Sequence, residues 1–229
     1  MLDRLREEVL AANLALPAQG LVKLTWGNAS GINRDRGLVA IKASGVEYGA
    51  MGVDDVVLVA LESGEVVYGE RRPSTDTPTH LALYRALEQI GGVVHTHSTW
   101  ATAWAQAQRE IPILGTTHAD LCSGPILMTR ALSAEEVEAD YESATGAALV
   151  ELVSGRAAEI PCALVRGHGP FAWGHDPAAA VQNAVTLEEV ARLALLTTML
   201  EPNPVSLDQA LREKHFERKY GPSAYYGQG

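Results

Sequence analysis

Leu2, Leu5, Val9, Ala12 and Leu16 recur at three- and four-residue steps, which places them on one stripe of a helix over about residues 2–16, closed by Pro17. Leu21–Thr25 then reads as a strand. Residues 37–42, 55–60 and 65–68 alternate or run apolar and predict three more, with Ser63 and Gly64 as the hairpin turn between the last two. Thr77 followed by Pro78 is an N-cap with proline at the first helical position, opening a helix to about Gln89 that Gly91 and Gly92 end. A short apolar strand, Val93 to His97, follows, and Ala101–Gln108 fits a short helix. Ser133 and Glu136 form a capping box for a helix through about residue 147. Cys162–Val165 is a buried strand running into the turn Arg166–Pro170. Asp176 and Pro177 open a long apolar helix over 177–200, and Ser206 with Gln209 caps a last helix that Gly221 ends. Strands and helices interleave without a βαβ rhythm, and no glycine-rich loop joins a strand to a helix in the dinucleotide-binding manner. The pattern predicts an α/β protein with a central mixed, mainly antiparallel sheet and helices on both faces.

At 229 residues the chain suits one domain with one substantial core. A net charge of −10 gives no global attraction to nucleic acid or to an anionic membrane, so an anionic ligand must be held by local donors. No apolar run has the length of a membrane span, and the mixed-charge start lacks the apolar centre of a signal peptide. Two cysteines, Cys122 and Cys162, are too few for a disulfide framework and read as small buried apolar residues. Together these points favour the cytoplasm.

The chemistry concentrates in Gly91–Ser98. On a strand, alternate side chains share a face, so His95 and His97 point the same way with Cα atoms about 7 Å apart. Two imidazoles so placed can converge on a divalent ion, or line a polar pocket. His168, between Gly167 and Gly169 after a buried strand, is a third candidate ligand or a structural turn residue. Asp76 is a fourth candidate ligand, or the cap of the helix it precedes. Three turns offer donors suited to a phosphate: Gly27 with Asn28, Lys42 with Ser44 and Gly45, and Ser74 with Thr75. Each alone is ordinary turn composition. Asp120 sits in apolar surroundings that could raise its pKa, or is a loop carboxylate accepting backbone bonds. His118 is a rival candidate ligand left unassigned, and His80 and His175 read as structural.

Taken together, LVKLTWGNAS (21–30), IKASGV (41–46), PSTDTPTH (73–80), GGVVHTHS (91–98), GTTHAD (115–120), GHGPFAWG (167–174) and the closing AYYGQ resemble, in order and over almost the whole chain, the pentose-phosphate epimerases of the class II aldolase/epimerase (adducin head) family. The resemblance implies a three-layer αβα domain over residues 1–229, with a tail from about 215 to 229 docking on a neighbouring subunit of a homotetramer. It implies one divalent ion per subunit, zinc in first place with manganese or cobalt as alternatives, on Asp76, His95, His97 and His168. Substrate contacts fall on Gly27, Asn28, Lys42, Ser44, Gly45, Ser74 and Thr75, this last where a second serine is usual. The acid/base residues fall on Asp120 and Tyr226, the latter reaching in from a neighbour, with His215 close by. The implied reaction interconverts L-ribulose 5-phosphate and D-xylulose 5-phosphate in pentose catabolism such as that of arabinose. C4 is not next to the carbonyl and its proton is not acidic, so inversion requires C3–C4 cleavage and re-formation. Three other readings stand beside it. An aldolase of the L-fuculose-phosphate type would carry glutamate at position 76. A non-catalytic adducin-like domain would lack the ligands. A metal-dependent hydrolase would not explain the phosphate turns.

Overall fold

The structure is a computed structural model that describes residues 2–156, 159–221 and 224–225. Its centre is a seven-stranded sheet of β1 (Asn28–Asn33), β2 (Leu38–Lys42), β3 (Val56–Ala60), β4 (Val66–Tyr68), β5 (Gly92–His95), β6 (Cys162–Val165) and β7 (Gly169–Gly174). The spatial order is β4-β3-β2-β1-β5-β7-β6, and every described strand pair is antiparallel.

The inner strands read as continuous apolar runs because both of their faces are covered. Val39, Val93, Ala163, Phe171 and Trp173 face one core, shared with Leu81, Leu83 and Tyr84 of α2 (Thr77–Ala86) and Leu149 and Val153 of α5 (Ala134–Val153). Their sequence neighbours Ala40, Val94, Leu164 and Ala172 face the other core, built on α1 (Leu2–Ala18), α3 (Thr99–Gln106) and α6 (Pro177–Leu200). The period of two along each strand thus divides the chain's apolar residues between two layers. The expected helices on both faces are present.

Several boundaries differ from the sequence reading. Leu21–Thr25 is not a strand: Leu24 (φ 51°) and Gly27 (φ 80°) turn the chain, and pairing begins at Asn28. Asn13, buried in α1, fixes that start by exchanging two hydrogen bonds with the Ala29 backbone (2.8 and 3.0 Å). The N-cap of α2 is Asp76, with Thr77 already helical, and the helix stops at Ala86 rather than near Gln89. α3 begins at Thr99, two residues earlier than expected, where the Glu188 carboxylate of α6 accepts from the Trp100 and Ala101 N–H groups (2.8 and 2.9 Å). α5 has the expected capping box on Ser133 but continues to Val153, because Leu149 and Val153 extend its buried face. The turn after β6 is followed by a full strand, β7, which pairs with both β5 and β6. Gly92 is required by close approach: a Cβ there would lie 2.4 Å from the Asp176 carbonyl oxygen at the start of α6. The last two helices are α4 (Thr116–Ala119) and α7 (Gln209–Tyr220). No helix among the described residues is long and apolar enough to cross a membrane.

Two buried histidines make stability depend on pH. His80 is buried, its Nδ1 2.7 Å from Ser30 Oγ, and burial pushes its pKa down to about 3. His118 is buried, its Nε2–H donates to the Gly124 carbonyl (2.9 Å), and burial pushes it down to about 4. The unfolded chain takes up these protons near the ordinary histidine value, about 6.5, whereas the folded chain resists them until about pH 3–4. Their contribution is therefore complete above about pH 6.5 and is lost as pH falls below it. At about pH 5 each ring should have removed about 2 kcal/mol of stability. Urea unfolding at about pH 7.5 and about pH 5 measures this, and equal stability at both would contradict it. The donor role of Nε2 also removes His118 from the ligand candidates on that nitrogen.

Candidate active site

The site lies at one edge of the sheet. Antiparallel order brings the end of β2, the start of β1, the end of β5 and the start of β7 to the same edge, with Asn28 directly opposite His95. The chain after β2 is zipped to the segment before α2 by Ser44 N–H to Arg72 O (2.9 Å), Ser74 N–H to Lys42 O (3.0 Å) and a bridge between Ala43 and Pro73. These contacts merge the turn around Lys42 and the turn around Ser74 into one wall.

His95 ends β5, His97 follows just beyond it, and His168 stands in the tight turn between β6 and β7, where Gly167 has φ 71°. Their Nε2 atoms converge: His97 Nε2 is 3.2 Å from His95 Nε2 and 3.2 Å from His168 Nε2. Three nitrogens about 2.1 Å from one zinc-like ion would be separated by about 3.0–3.4 Å, depending on octahedral or tetrahedral geometry. His95 Nδ1 is 3.0 Å from the Pro170 carbonyl, which can only accept, so Nδ1 carries the proton and Nε2 presents its lone pair. An N–H on His97 Nε2 would satisfy these contacts only in part, whereas a cation takes all three lone pairs. The triad therefore fits a divalent metal ion. Burial, then the neighbouring imidazoles, pushes His168 down to about 4, and burial and His95 lower His97 as well, so both rings are neutral near neutral pH.

Asp76 lines the same cleft but stands outside the close imidazole cluster. Its side chain makes no capping bond, so the alternative role as a helix cap is not taken. Instead Oδ2 accepts from Asn28 Nδ2 (2.6 Å). Burial raises its pKa, but electrostatic interaction with the His95 and His80 imidazoles and the Asn28 bond outweigh that and hold it below the usual range.

All seven candidate substrate residues, Gly27, Asn28, Lys42, Ser44, Gly45, Ser74 and Thr75, line this cleft of about 590 Å³ with Asp76, His97 and His168. Gly27 is required there, because a Cβ would lie 2.8 Å from the His95 carbonyl oxygen. Lys42 is 2% exposed; Nζ donates to the Ala43 carbonyl (3.3 Å) and lies 5.0 Å from the centre of the Tyr48 ring. Burial lowers its pKa, and the more distant Asp55 carboxylate offsets this in part. Among the described residues no carboxylate forms an ion pair with it. A buried cation without an ion-pair partner is costly, and it suits an anion delivered from outside.

Asp120 and His215 meet, but elsewhere. Neither lines the cleft of its own chain. His215 Nδ1 donates to Asp120 Oδ1 (3.1 Å), and Arg218 grips both carboxylate oxygens (3.0 and 2.6 Å). The expected rise in the Asp120 pKa does not occur: burial raises it, but the bonds and charges of Arg218 and His215 outweigh burial and lower it. Tyr226 lies outside the described residues. Two site residues had no place in the sequence reading. Arg218 gave no signal beyond lying three residues from His215. Tyr141 was concealed within a helix, although the cap pattern formed by Asp140 and Ser143 marks a break beside it.

This fold and cleft define a class of protein: the sequence profile of the class II aldolase and adducin N-terminal domain matches residues 7–195, and the chain belongs to that family. Relatives named L-ribulose-5-phosphate 4-epimerase UlaF, from Salmonella paratyphi A and Salmonella typhi, are each 54% identical over 228 residues, spanning 99% of this chain and 100% of theirs. Among solved structures, an L-fuculose 1-phosphate aldolase superposes with a TM-score of 0.79 at 25% identity, covering 94% of this chain and 95% of its own. The L-fuculose-1-phosphate aldolase from Thermus thermophilus gives 0.67 at 26% identity, covering 89% and 99%.

Proposed function

We propose that the chain is an isomerase that inverts C4 of a ketopentose phosphate, interconverting L-ribulose 5-phosphate and D-xylulose 5-phosphate. The observation that carries the reading is the 54% identity over the full chain to proteins named for that activity. The three converging imidazoles beside a buried lysine support it.

In this reading His95, His97 and His168 would hold a zinc ion, with Asp76 as a fourth ligand. The ion would supply electrostatic stabilisation of negative charge developing on the ketose oxygens. Lys42, Ser44 and Ser74 bind the phosphate and retain the two-carbon fragment, so that it can rotate and present its other face. Asp120 and Tyr226 move the proton at the C4 oxygen, one for each orientation. Asp120 does not line its own chain's cleft, so it and His215 complete the cleft of an adjacent copy, and the assembly is a homotetramer with active sites between subunits. The reaction serves pentose catabolism in the cytoplasm.

An aldolase that releases its fragments is the competing reading, favoured by the superposition on L-fuculose 1-phosphate aldolase. Asp76 in place of a longer glutamate argues against it. A coupled assay on zinc-loaded protein with L-ribulose 5-phosphate tests the proposal. D-Xylulose 5-phosphate without free glycolaldehyde phosphate is the expected result. Release of the aldehyde would make the chain an aldolase.

A further inference from the structure

α5 is not one helix in its dihedral angles. Asp140 is extended (φ −166°, ψ 90°), and its carboxylate restarts the helix by accepting from the Ser143 backbone N–H (3.0 Å) and hydroxyl (2.7 Å). The restarted half is anchored immediately. Thr145 Oγ1 donates to the Tyr141 carbonyl (2.8 Å), and Thr79 of α2 donates to the Glu142 carbonyl (2.7 Å). The break delivers the Tyr141 side chain into the cleft, where its hydroxyl lies 2.9 Å from His168 Nδ1.

This contact answers a need of His168. The His95 tautomer is dictated by a backbone carbonyl within the sheet. His168 stands on a turn after Gly167 (φ 71°), at the mouth of the cleft and only partly buried. A free imidazole there exchanges its proton between the two ring nitrogens and pivots about its side-chain bonds. Either motion removes the Nε2 lone pair from the position 3.2 Å from His97 Nε2.

We propose that Tyr141 is a positioning residue for the metal centre. Its hydroxyl oxygen accepts the Nδ1–H of His168 and so presents Nε2 to the ion. The inference rests on the metal reading above and adds to it a residue of α5, which reaches the cleft at Tyr141 and Glu142. Partners of this kind on a metal-binding histidine typically contribute about 10- to 100-fold in metal affinity. The break at Asp140 is then the device that lets a core-facing helix supply the partner.

The experiment is zinc binding to Tyr141→Phe by chelator competition, together with the visible spectrum of the cobalt-loaded protein and the melting temperature of the metal-free protein. Zinc affinity is expected to fall about 10- to 100-fold. The cobalt spectrum should change, and metal-free stability should match that of the parent. Parent-like zinc affinity and cobalt spectrum would overturn the role of Tyr141 and leave the metal reading standing. A matching loss of metal-free stability would assign Tyr141 to packing and overturn it equally. A parent chain that holds no zinc would overturn the metal reading and this inference with it.

Discussion

His97→Asn should leave a folded protein without stoichiometric zinc, with kcat/KM for L-ribulose 5-phosphate lowered by at least about a thousandfold, or about 4 kcal/mol of transition-state stabilisation. His97 is the right residue to remove because its Nε2 is the shared vertex, 3.2 Å from each of the other two nitrogens. Asparagine is shorter and offers an amide in place of an imidazole lone pair, so two nitrogens and the more distant Asp76 carboxylate remain, too few to hold an ion tightly. His97 lies outside both apolar cores, so its loss leaves them intact. His95 would be a poor choice. It is 1% exposed, stacks on Phe171 with ring centroids 4.2 Å apart, and is bonded to the Pro170 carbonyl, so its substitution would confound loss of metal with loss of fold. Elemental analysis of purified His97→Asn beside the parent, with the coupled assay, reads both quantities. A full complement of zinc in active His97→Asn would remove the imidazole triad as the metal site.

The parts of this site that were legible in the sequence are those set by local geometry. His95 and His97 announce themselves because alternation along a strand is short-range. His168 stands out because its flanking glycines are unusual on any fold. The turns at Lys42 and Ser74 were visible as turns, but their union was not: it is made by backbone bonds between segments about thirty residues apart, which neither segment encodes alone. The start of β1 was misplaced for a similar reason. Leu21–Thr25 has good strand composition, yet Asn13 holds the chain at Ala29 instead, so a buried side chain from α1 overrides local propensity. Tyr141 and Arg218 were missed because each acts through a distant partner. Asp120 shows the converse error. Its apolar neighbours in sequence suggested an apolar environment, whereas α7 brings two basic side chains to it from about a hundred residues away.

Asp120→Asn should retain zinc while kcat falls by about a hundred- to ten-thousandfold, the range of a lost acid/base group. Asparagine keeps the shape of the side chain and one acceptor oxygen, so Arg218 and His215 can still bond to it. It cannot carry the proton that must pass to or from the C4 oxygen. Because Arg218 and His215 hold the Asp120 pKa below the usual carboxylate range, the group is ionised at neutral pH, and in the proposed cycle it begins as the acceptor. Its partner, Tyr226, then begins as the donor. An epimerisation needs one group to take the proton and another to return it on the opposite face, so Tyr226→Phe should show the same retention of zinc and a comparable loss of turnover. The ion pair with Arg218 is partly open to solvent, so its weakening should lower stability by no more than about 1 kcal/mol. Activity loss far exceeding stability loss is therefore the signature to seek, read from kcat at saturating substrate beside a urea unfolding curve. Unchanged turnover in Asp120→Asn would reduce Asp120 to an anchor for α7, and the proton transfer would have to be sought on the remaining carboxylates lining the cleft, Asp76 and Glu142.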